Sequence, residues 1–320
     1  MGKYIKKFET HNQYTAFTQT EDFILPNVSY CKDQTDIVHY NPYIHDYSKD
    51  YFTFVALQDT TFSHTINNVH YSLDNGETWQ LLISGETSPT IQAGKKIMFK
   101  ANLQGGNGGT GTFSSTGRFN VEGNIMSLYY ENDFVGQTGL RESGENFKTL
   151  FSNCANIINA QNLILPSTTL YNNCYEEMFK NCTSLVTAPE LPATTLAQHC
   201  YGGMFDGCTN LVTAPSIIPA ITASAACCTN MFKNCTSLET APELPATTLE
   251  TWSYAYMFEG CSNLRHIKML ATDISMYACL LSWVNGVAAN GTFVKNSAAT
   301  WDVTGKNGIP NGWTVETASA

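Results

Sequence analysis

The sequence has little charge, and most of that charge is negative. Only 14% of the 320 residues are charged, with 17 Lys and Arg against 27 Asp and Glu, which gives a formal net charge of −10. Nucleic acids and anionic membranes are bound through clustered positive charge, so neither is expected as a partner. An average globular domain has about 25% charged residues. The surface must therefore consist largely of Thr, Asn, Ser and Tyr, a composition that suits contact with sugars or with other proteins.

Long apolar segments are missing too. The first twenty residues, MGKYIKKFETHNQYTAFTQT, lack the roughly 7–15 consecutive apolar residues of a signal peptide. No stretch approaches the about 18 apolar residues that a membrane-spanning helix needs. Unless a leader has been removed, we expect a soluble chain that is made in the cytoplasm, with no membrane insertion.

Sequence patterns of metal and catalytic sites are also absent. The seven histidines form no H-x-H or H-x-x-x-H pair, and neither C-x-x-C nor G-x-S-x-G occurs. Residues 106–111 do match G-x-G-x-x-G, but TFSSTGRF follows, which favours strands over the helix that a phosphate site needs. We interpret this segment as a flexible loop and expect no cofactor, no metal and no catalytic residue.

The C-terminal half is built from a repeat. Five related segments recur: FSNCANI (151–157), MFKNCTSL (178–185), MFDGCTNL (204–211), MFKNCTSL (231–238) and MFEGCSNL (257–264). Their cysteines are separated by 28, 26, 27 and 26 residues, and the phrase LPATTL recurs with the same period. Periods of 20–50 residues indicate stacked units. Each unit is predicted to contain a short helix that ends at its cysteine and a brief strand that ends at proline, as in a one-helix, one-strand solenoid turn.

Stacking explains why the same residue types recur at each position. In such a stack every side chain lies over its copy about 4.8 Å away, so Phe179 and Phe205 belong to one column and Leu185 and Leu211 to another. Ten of the eleven cysteines lie in the repeat half. Disulfides between repeats are geometrically feasible, but the odd number and the regular spacing favour buried thiols that act as small apolar side chains.

The region before the repeats is rich in aromatic and β-branched runs. YFTFVAL, VHYSL, TWQLLI and KIMFKANL are separated by turn signals, which predicts a small β-sandwich. Residues 72–79, SLDNGETW, match the Asp-box S-x-D-x-G-x-T-W and in this resemble sialidases and related propellers. In those families the box is a structural hairpin element that recurs around the fold. The single copy here is therefore interpreted as a hairpin turn.

These observations predict a multidomain chain with an N-terminal all-β, Ig-like sandwich and a C-terminal leucine-rich-repeat α/β solenoid of about five turns. The predicted segments are a docking arm (1–50), the β-sandwich (51–103), a Gly-rich joint with the N-terminal cap (104–144), the repeats (145–275) and a C-terminal cap (276–320).

The phrase M-F-x-x-C-[TS]-x-L, followed by A-P-E-L-P, resembles the BspA-type leucine-rich repeat over about residues 145–275. The chain departs from that family by placing Met where Ala is usual and by having a slightly longer unit. Together with FILPNVSYCKD near the start and GIPNGWTV near the end, the arrangement resembles repeat proteins of gut Bacteroidales and of their phages. The resemblance implies surface adhesion for bacterial members and a virion-attached fibre or decoration protein for phage members.

Because no leader is visible and the thiols read as free, the sequence favours the phage class. We expect the N-terminal region to bind capsid or tail proteins, and fibres of this kind are commonly homotrimers. The repeats are expected to bind a cell-surface or mucosal glycan or protein. The contact residues are those that strand alternation turns outward: Thr187, Glu190, Thr213, Ser216, Thr240 and Glu243.

Three other functions stay open at this point. One is a bacterial cell-surface adhesin. Another is an enzyme that degrades polysaccharide, for which paired acidic residues such as Glu190 and Glu243 would have to converge. The third is a purely structural capsid or tail component without a ligand.

Overall fold

A computed structural model describes residues 45–105, 111–142 and 144–318, together with the backbone of four strands near the N-terminus. The chain divides into two compact units, Met1–Asp46 and Tyr47–Ala320. Most of the predicted docking arm and nearly all of the Gly-rich loop lie outside the described residues. In the first unit two antiparallel pairs are formed, by β1 (Lys3–Lys7) with β2 (Tyr14–Thr18) and by β3 (Ser29–Cys31) with β4 (Ile37–His39).

The second unit begins with a six-stranded mixed sheet. The strands of this region are β5 (Phe52–Ala56), β6 (Phe62–His64), β7 (Val69–Ser72), β8 (Gln80–Leu82), β9 (Lys96–Lys100), β10 (Phe113–Ser115), β11 (Phe119–Asn124) and β12 (Ile157–Ile164). The sheet has the order β12-β11-β5-β9-β7-β8, and β6 and β10 form a separate pair. Every neighbour in the sheet is antiparallel except β11 and β12, which are parallel.

Phenylalanines from several strands fill the core beneath this sheet, and we call them the Phe cluster. Its members are Phe52, Phe54, Phe62, Phe99, Phe113, Phe119 and Phe151, all of them buried. The Phe54 ring lies at the centre, with six aromatic neighbours at centroid distances of 4.8–5.8 Å. Its interplanar angles range from 50° to 85°. Alternation of apolar residues along short strands thus produces one interlocked aromatic core.

The repeats form turns where helices were predicted. Within one turn, the Lys180 and Cys182 N–H groups donate to the carbonyls three residues earlier, while the intervening Phe179 and Asn181 N–H groups donate to the next repeat at 2.8 and 2.7 Å. An α-helix would instead direct every N–H to the residue four positions earlier. Left-handed residues recur in each turn, Asn181 with φ 57° among them, and they interrupt any helix.

The predicted α/β leucine-rich solenoid is therefore wrong. Among the described residues the only α-helix is α1 (Ser127–Tyr130), which precedes the repeats. Between the repeats, strand pairing is limited to β13 (Thr222–Ala223) with β14 (Thr248–Leu249) and to isolated bridges, so no continuous sheet is formed. The proline in each unit lacks an N–H group and so limits the ladder. The structure is mostly β-strands in several small sheets, with 3₁₀ turns at 47–49, 103–105 and 131–133.

The Ig-like sandwich is wrong as well. Strand β12 belongs to the first repeat, yet it adds to the sheet as a parallel edge strand, so the sheet and the repeats share one core. No pattern in the sequence predicts this pairing, because β12 is separated from its partner β11 by more than thirty residues.

The repeats nevertheless stack in the predicted register. Phe151, Phe179, Phe205, Phe232 and Phe258, which we call the Phe ladder, have centroids 5.2–5.6 Å apart and interplanar angles of 7–18°. In the row of turns, the N–H donor belongs to the earlier repeat and the acceptor to the later one, except that Tyr175 donates back to Asn146 and Ser237 back to Thr209. The stack ends in a parallel three-stranded sheet of β15 (His266–Met269), β16 (Thr292–Lys295) and β17 (Thr314–Thr317).

Candidate ligand-binding face

The three predicted threonines lie on the extended segments of consecutive repeats. Thr187 forms parallel bridges with Asn159 on one side and with Thr213 on the other, and Thr240 forms one with His266. Thr213 and Thr240 are exposed and Thr187 is half-buried. The structure therefore brings Thr187 and Thr213 together directly and places Thr240 in the next repeat, in the corresponding position.

The other three predicted residues are linked in a second row. The backbone N–H and the hydroxyl of Ser216 donate to Glu190 Oε2 at 3.0 and 2.7 Å. The Glu243 N–H donates to the Ser216 carbonyl, and the Glu243 carboxylate lies 3.1 Å from Lys268 Nζ. All three predicted residues are exposed. Together the two rows form a polar surface of hydroxyls and carboxylates, which we call the Thr/Glu face.

The two carboxylates of this face have separate partners. Glu190 is held by Ser216, and Glu243 is held by Lys268. Proton-transfer chemistry on a glycoside needs two carboxyl groups facing one substrate bond. The arrangement is suited to exchanging hydrogen bonds with a ligand, since exposed polar residues occur at corresponding positions of consecutive repeats.

The Asp-box forms a hairpin, as predicted. Strands β7 and β8 pair across it, and the Asp74 carboxylate accepts hydrogen bonds from the Ser72 hydroxyl and the Thr78 N–H at 2.7 and 2.9 Å. Because these hydrogen bonds, above all those from Thr78, favour the ionised form, the pKa of Asp74 is lowered to about 2. The Trp79 indole N–H donates to the Gly76 carbonyl, and Lys100 Nζ lies 4.4 Å from its ring. The residues of the Asp-box thus serve to stabilise the hairpin turn.

The cysteines of the described residues are free and buried. Those of the main column donate their S–H groups to the phenylalanine carbonyl of the preceding repeat, with Cys182, Cys208, Cys235 and Cys261 at 3.1, 3.0, 3.2 and 2.9 Å. Burial raises the pKa of these thiols, that of Cys261 to about 12. No group of three or more potential metal ligands occurs among the residues that the structure describes.

Sequence reasoning missed a surface pocket in the row of turns. It has a volume of about 300 Å³ and is lined by Gln198, His199, Ala225, Ala226, Thr229, Thr251 and Trp252. The signal was present in the repeat alignment. The residues at the position of Trp252 in the other repeats are Asn173, His199, Ala226 and Ala278. The large Trp252 of one repeat therefore comes directly after the small Ala226 of the repeat before it.

No helix among the described residues has both the length and the apolar character needed to cross a bilayer. Comparison with known proteins gives no relationship from which a function could be transferred: no protein-family model, no curated protein and no solved structure matches this chain.

Proposed function

We propose that this chain is a non-enzymatic structural protein of a phage virion, a head or tail fibre or decoration protein, whose repeats adhere to a cell-surface or mucosal ligand. The observation that carries the proposal is the Thr/Glu face, where exposed hydroxyls and carboxylates recur with the spacing of the stack. A regular row of weak hydrogen-bonding groups suits a repetitive ligand, because contacts that are weak singly add through multivalency.

The geometry of the acidic residues supports binding over catalysis. The carboxylates of Glu190 and Glu243 lie in different repeats, with Ser216 between them, and Lys268 neutralises the second. A glycosidase would need both groups free to face one bond. Ligand binding has no such requirement.

The thiols support synthesis in a reducing compartment. Ten buried free cysteines, several of them with S–H groups bonded to carbonyls, suit a protein that folds in a bacterial cytoplasm, where disulfides are rare. Virion proteins are made there. In this proposal the N-terminal region binds capsid or tail proteins, and neither nucleic acid nor membrane is a partner.

The location is tested by immunogold electron microscopy on a culture that releases phage, with an antibody raised against this chain. Gold on capsids or tails is the expected result and shows which part of the particle carries the protein. Gold confined to cell envelopes contradicts the virion assignment and favours the bacterial adhesin.

The binding role is tested by adhesion of the purified chain to bacterial cells and to immobilised mucin. Replacing Thr187 and Thr213 by Ala together with Glu190→Gln is expected to reduce retention at least tenfold. A matched control replaces Thr194 and Thr247, which are exposed in the repeats but outside the face, by Ala. Equal loss in the control, or adhesion unchanged by the face variant, would exclude the Thr/Glu face as the binding surface.

A further inference from the structure

The pocket in the row of turns exists because one repeat carries small residues between two larger ones. Ala225 and Ala226 form its floor, whereas the preceding repeat places Gln198 and His199 beside them and the following repeat places Thr251 and Trp252. The side walls are thus two repeats apart, about 10 Å at roughly 4.8 Å per repeat. The gap is one repeat wide and holds about 300 Å³, the lower end of the range for small-molecule sites.

Trp252 differs from the other tryptophans in its hydrogen bonding. Each of the other four indole N–H groups donates to a backbone carbonyl: Trp79 to Gly76, Trp283 to Gly308, Trp301 to Ala271 and Trp313 to Ala288, at 2.8–3.0 Å. Within the residues that the structure describes, the Trp252 indole N–H has no acceptor. Its ring packs edge-on against Tyr277 at 6.2 Å, which fixes the wall of the pocket.

The other polar groups of the pocket are also available. The side chains of Gln198, His199 and Thr251 make no hydrogen bond to any described residue, while the Thr229 hydroxyl donates to the Trp252 carbonyl at 2.7 Å. An amide, an imidazole, a hydroxyl and an indole N–H therefore converge on one space. Unpaired polar groups that surround an aromatic ring are the usual lining of a specific small-molecule site.

The lining also determines the class of ligand. None of the residues that line the pocket is Asp, Glu, Lys or Arg, so a carboxylate, phosphate or ammonium group would find no fixed counter-charge. A pyranose has an apolar C–H face that packs on an aromatic ring and a rim of hydroxyls that exchange hydrogen bonds with neutral donors and acceptors. We propose that this pocket binds one neutral hexose unit of a glycan, with the sugar between Trp252 and His199 and over Ala226.

This inference deepens the proposed adhesive function and rests on it, since it gives the repeats a defined sugar subsite apart from the Thr/Glu face. The test uses the full chain with free galactose, glucose and mannose, followed by saturation-transfer NMR and titration. We expect a dissociation constant on the order of 1 mM for at least one of them, as suits a small ligand with few contact atoms. N-acetylneuraminic acid and glucuronic acid are the acidic comparison and should bind at least tenfold more weakly.

Two variants test the geometry. Trp252→Ala removes the stacking surface, and Ala226→Leu fills the floor; each is expected to weaken binding at least tenfold. The matched control is Asn173→Leu, which introduces the same side chain at the equivalent turn position, also left-handed with φ 60°, outside the pocket. Trp252→Phe keeps a ring and loses the indole donor, so its binding should fall between those of wild type and Trp252→Ala. Folding is checked by the ten buried cysteines of the described residues, so that every variant should show the same reactivity towards Ellman's reagent as the wild type.

The outcomes separate this inference from the proposed function. No binding of any neutral hexose at 50 mM, or tighter binding of the acidic sugars, overturns the pocket assignment. If hexose binding is lost in Glu190→Gln and kept in Ala226→Leu, the sugar site lies on the Thr/Glu face, so the pocket assignment fails while adhesion stands. If the chain adheres to neither cells nor mucin, the proposed function fails whatever the sugar titrations show.

Discussion

The two aromatic cores of the second unit are built in different ways. In the Phe cluster all rings but that of Phe151 come from strands that do not repeat, and Phe54 packs at tilted and edge-on angles against six neighbours. In the Phe ladder each inner ring, from Phe179 to Phe232, meets the copy above and the copy below and is nearly parallel to both. Phe151 belongs to both cores and joins them.

The difference follows from what a repeat permits. Where identical residues must lie over one another, each ring takes the orientation of its neighbour, and the offset stack is the arrangement that aromatic rings tolerate. Where the neighbours differ, rings can interlock at steep angles and bury one another from all sides. A stack therefore distributes its stability along its length, whereas the cluster concentrates it at one point.

Alkaline pH should separate the two regions most strongly. The sheet region from Tyr51 to Ser127 contains no cysteine, whereas ten lie in the C-terminal half, and burial raises the thiol pKa of Cys208, Cys235 and Cys261 above the ordinary value. The folded repeats keep these protons while the unfolded chain releases them above about pH 8.5. The contribution of these thiols to the free energy of unfolding is therefore complete below about pH 8.5. Above that pH the free energy of unfolding falls by about 1.4 kcal/mol per thiol per pH unit.

The measurement is the urea midpoint between pH 7 and pH 10. We expect a steep fall above pH 8.5 that becomes shallower in the double variant Cys208→Ala, Cys235→Ala, because two ionising groups have been removed. A midpoint that does not change up to pH 10 would show that the thiols are not protected by the native stack.

Truncating one ring should cost more in the cluster than in the ladder. Phe54→Ala is expected to lower the free energy of unfolding by about 5 kcal/mol and Phe205→Ala by about 3 kcal/mol, because both rings are fully buried but only the first has six aromatic neighbours. Urea unfolding followed by circular dichroism gives both values. If Phe205→Ala is the more damaging, the ladder is the principal core and the comparison is reversed.

Glycines in the ladder region test how closely the repeats approach. A Cβ added at Gly207 would meet Asn181 Oδ1 of the preceding repeat, and the φ of 76° already disfavours alanine. Gly207→Ala should cost about 2–3 kcal/mol, as strain and contact act together.

Gly286→Ala is the matched control for this substitution. Its φ of 82° is equally unfavourable, but nothing lies closer than 3.6 Å, so about 1 kcal/mol is expected. Adding Asn181→Gly to Gly207→Ala should recover the contact part of the loss. If the double variant recovers no stability, the whole loss comes from backbone strain at Gly207.

The smallest effect is expected at the Asp-box hairpin. Since the native pKa of Asp74 is about 2, below its unfolded value, the carboxylate stabilises the fold above about pH 4, and this contribution disappears as the pH falls towards 2. Asp74→Asn should therefore lower the urea midpoint slightly at pH 7 and not at pH 2. Asp302→Asn, at an exposed position in the C-terminal region, is the control. If the urea midpoints of Asp74→Asn and wild type differ as much at pH 2 as at pH 7, the effect comes from the shape of the side chain and not from its charge.

The sequence was informative where identical residues must meet. The period, the Phe column, the burial of the thiols and the Asp-box hairpin could all be predicted, because each depends on spacing or on local turn chemistry. The turns could not be distinguished from short helices, since six or seven residues such as 200–206 satisfy both patterns. The alternation of Asn and Gly at 181, 207, 234 and 260 was the available hint, because these residues favour left-handed backbone.

The candidate site was only partly accessible from the sequence. Strand alternation indicated the Thr/Glu face but not that Ser216 holds Glu190 or that Lys268 holds Glu243. The pocket depends on a difference between repeats, the step from Ala226 to Trp252, whereas alignment of repeats emphasises what they share.

The direction of the hydrogen bonds between turns gives the stack an electrical polarity. Each peptide group carries a dipole of about 3.5 D, and in the row of turns nearly all the N–H groups that join one repeat to the next point towards the C-terminal end. In the extended segments the bonds run both ways, from Ala188 forward to Thr213 but from Glu243 back to Ser216, so the polarity belongs to the row of turns. The sum of the dipoles in this row places partial positive charge at the last turn, where Asn307 Oδ1 accepts from the Ser282 N–H, and partial negative charge at the first. The row of turns thus has two electrically unlike ends, in a chain whose formal net charge is −10.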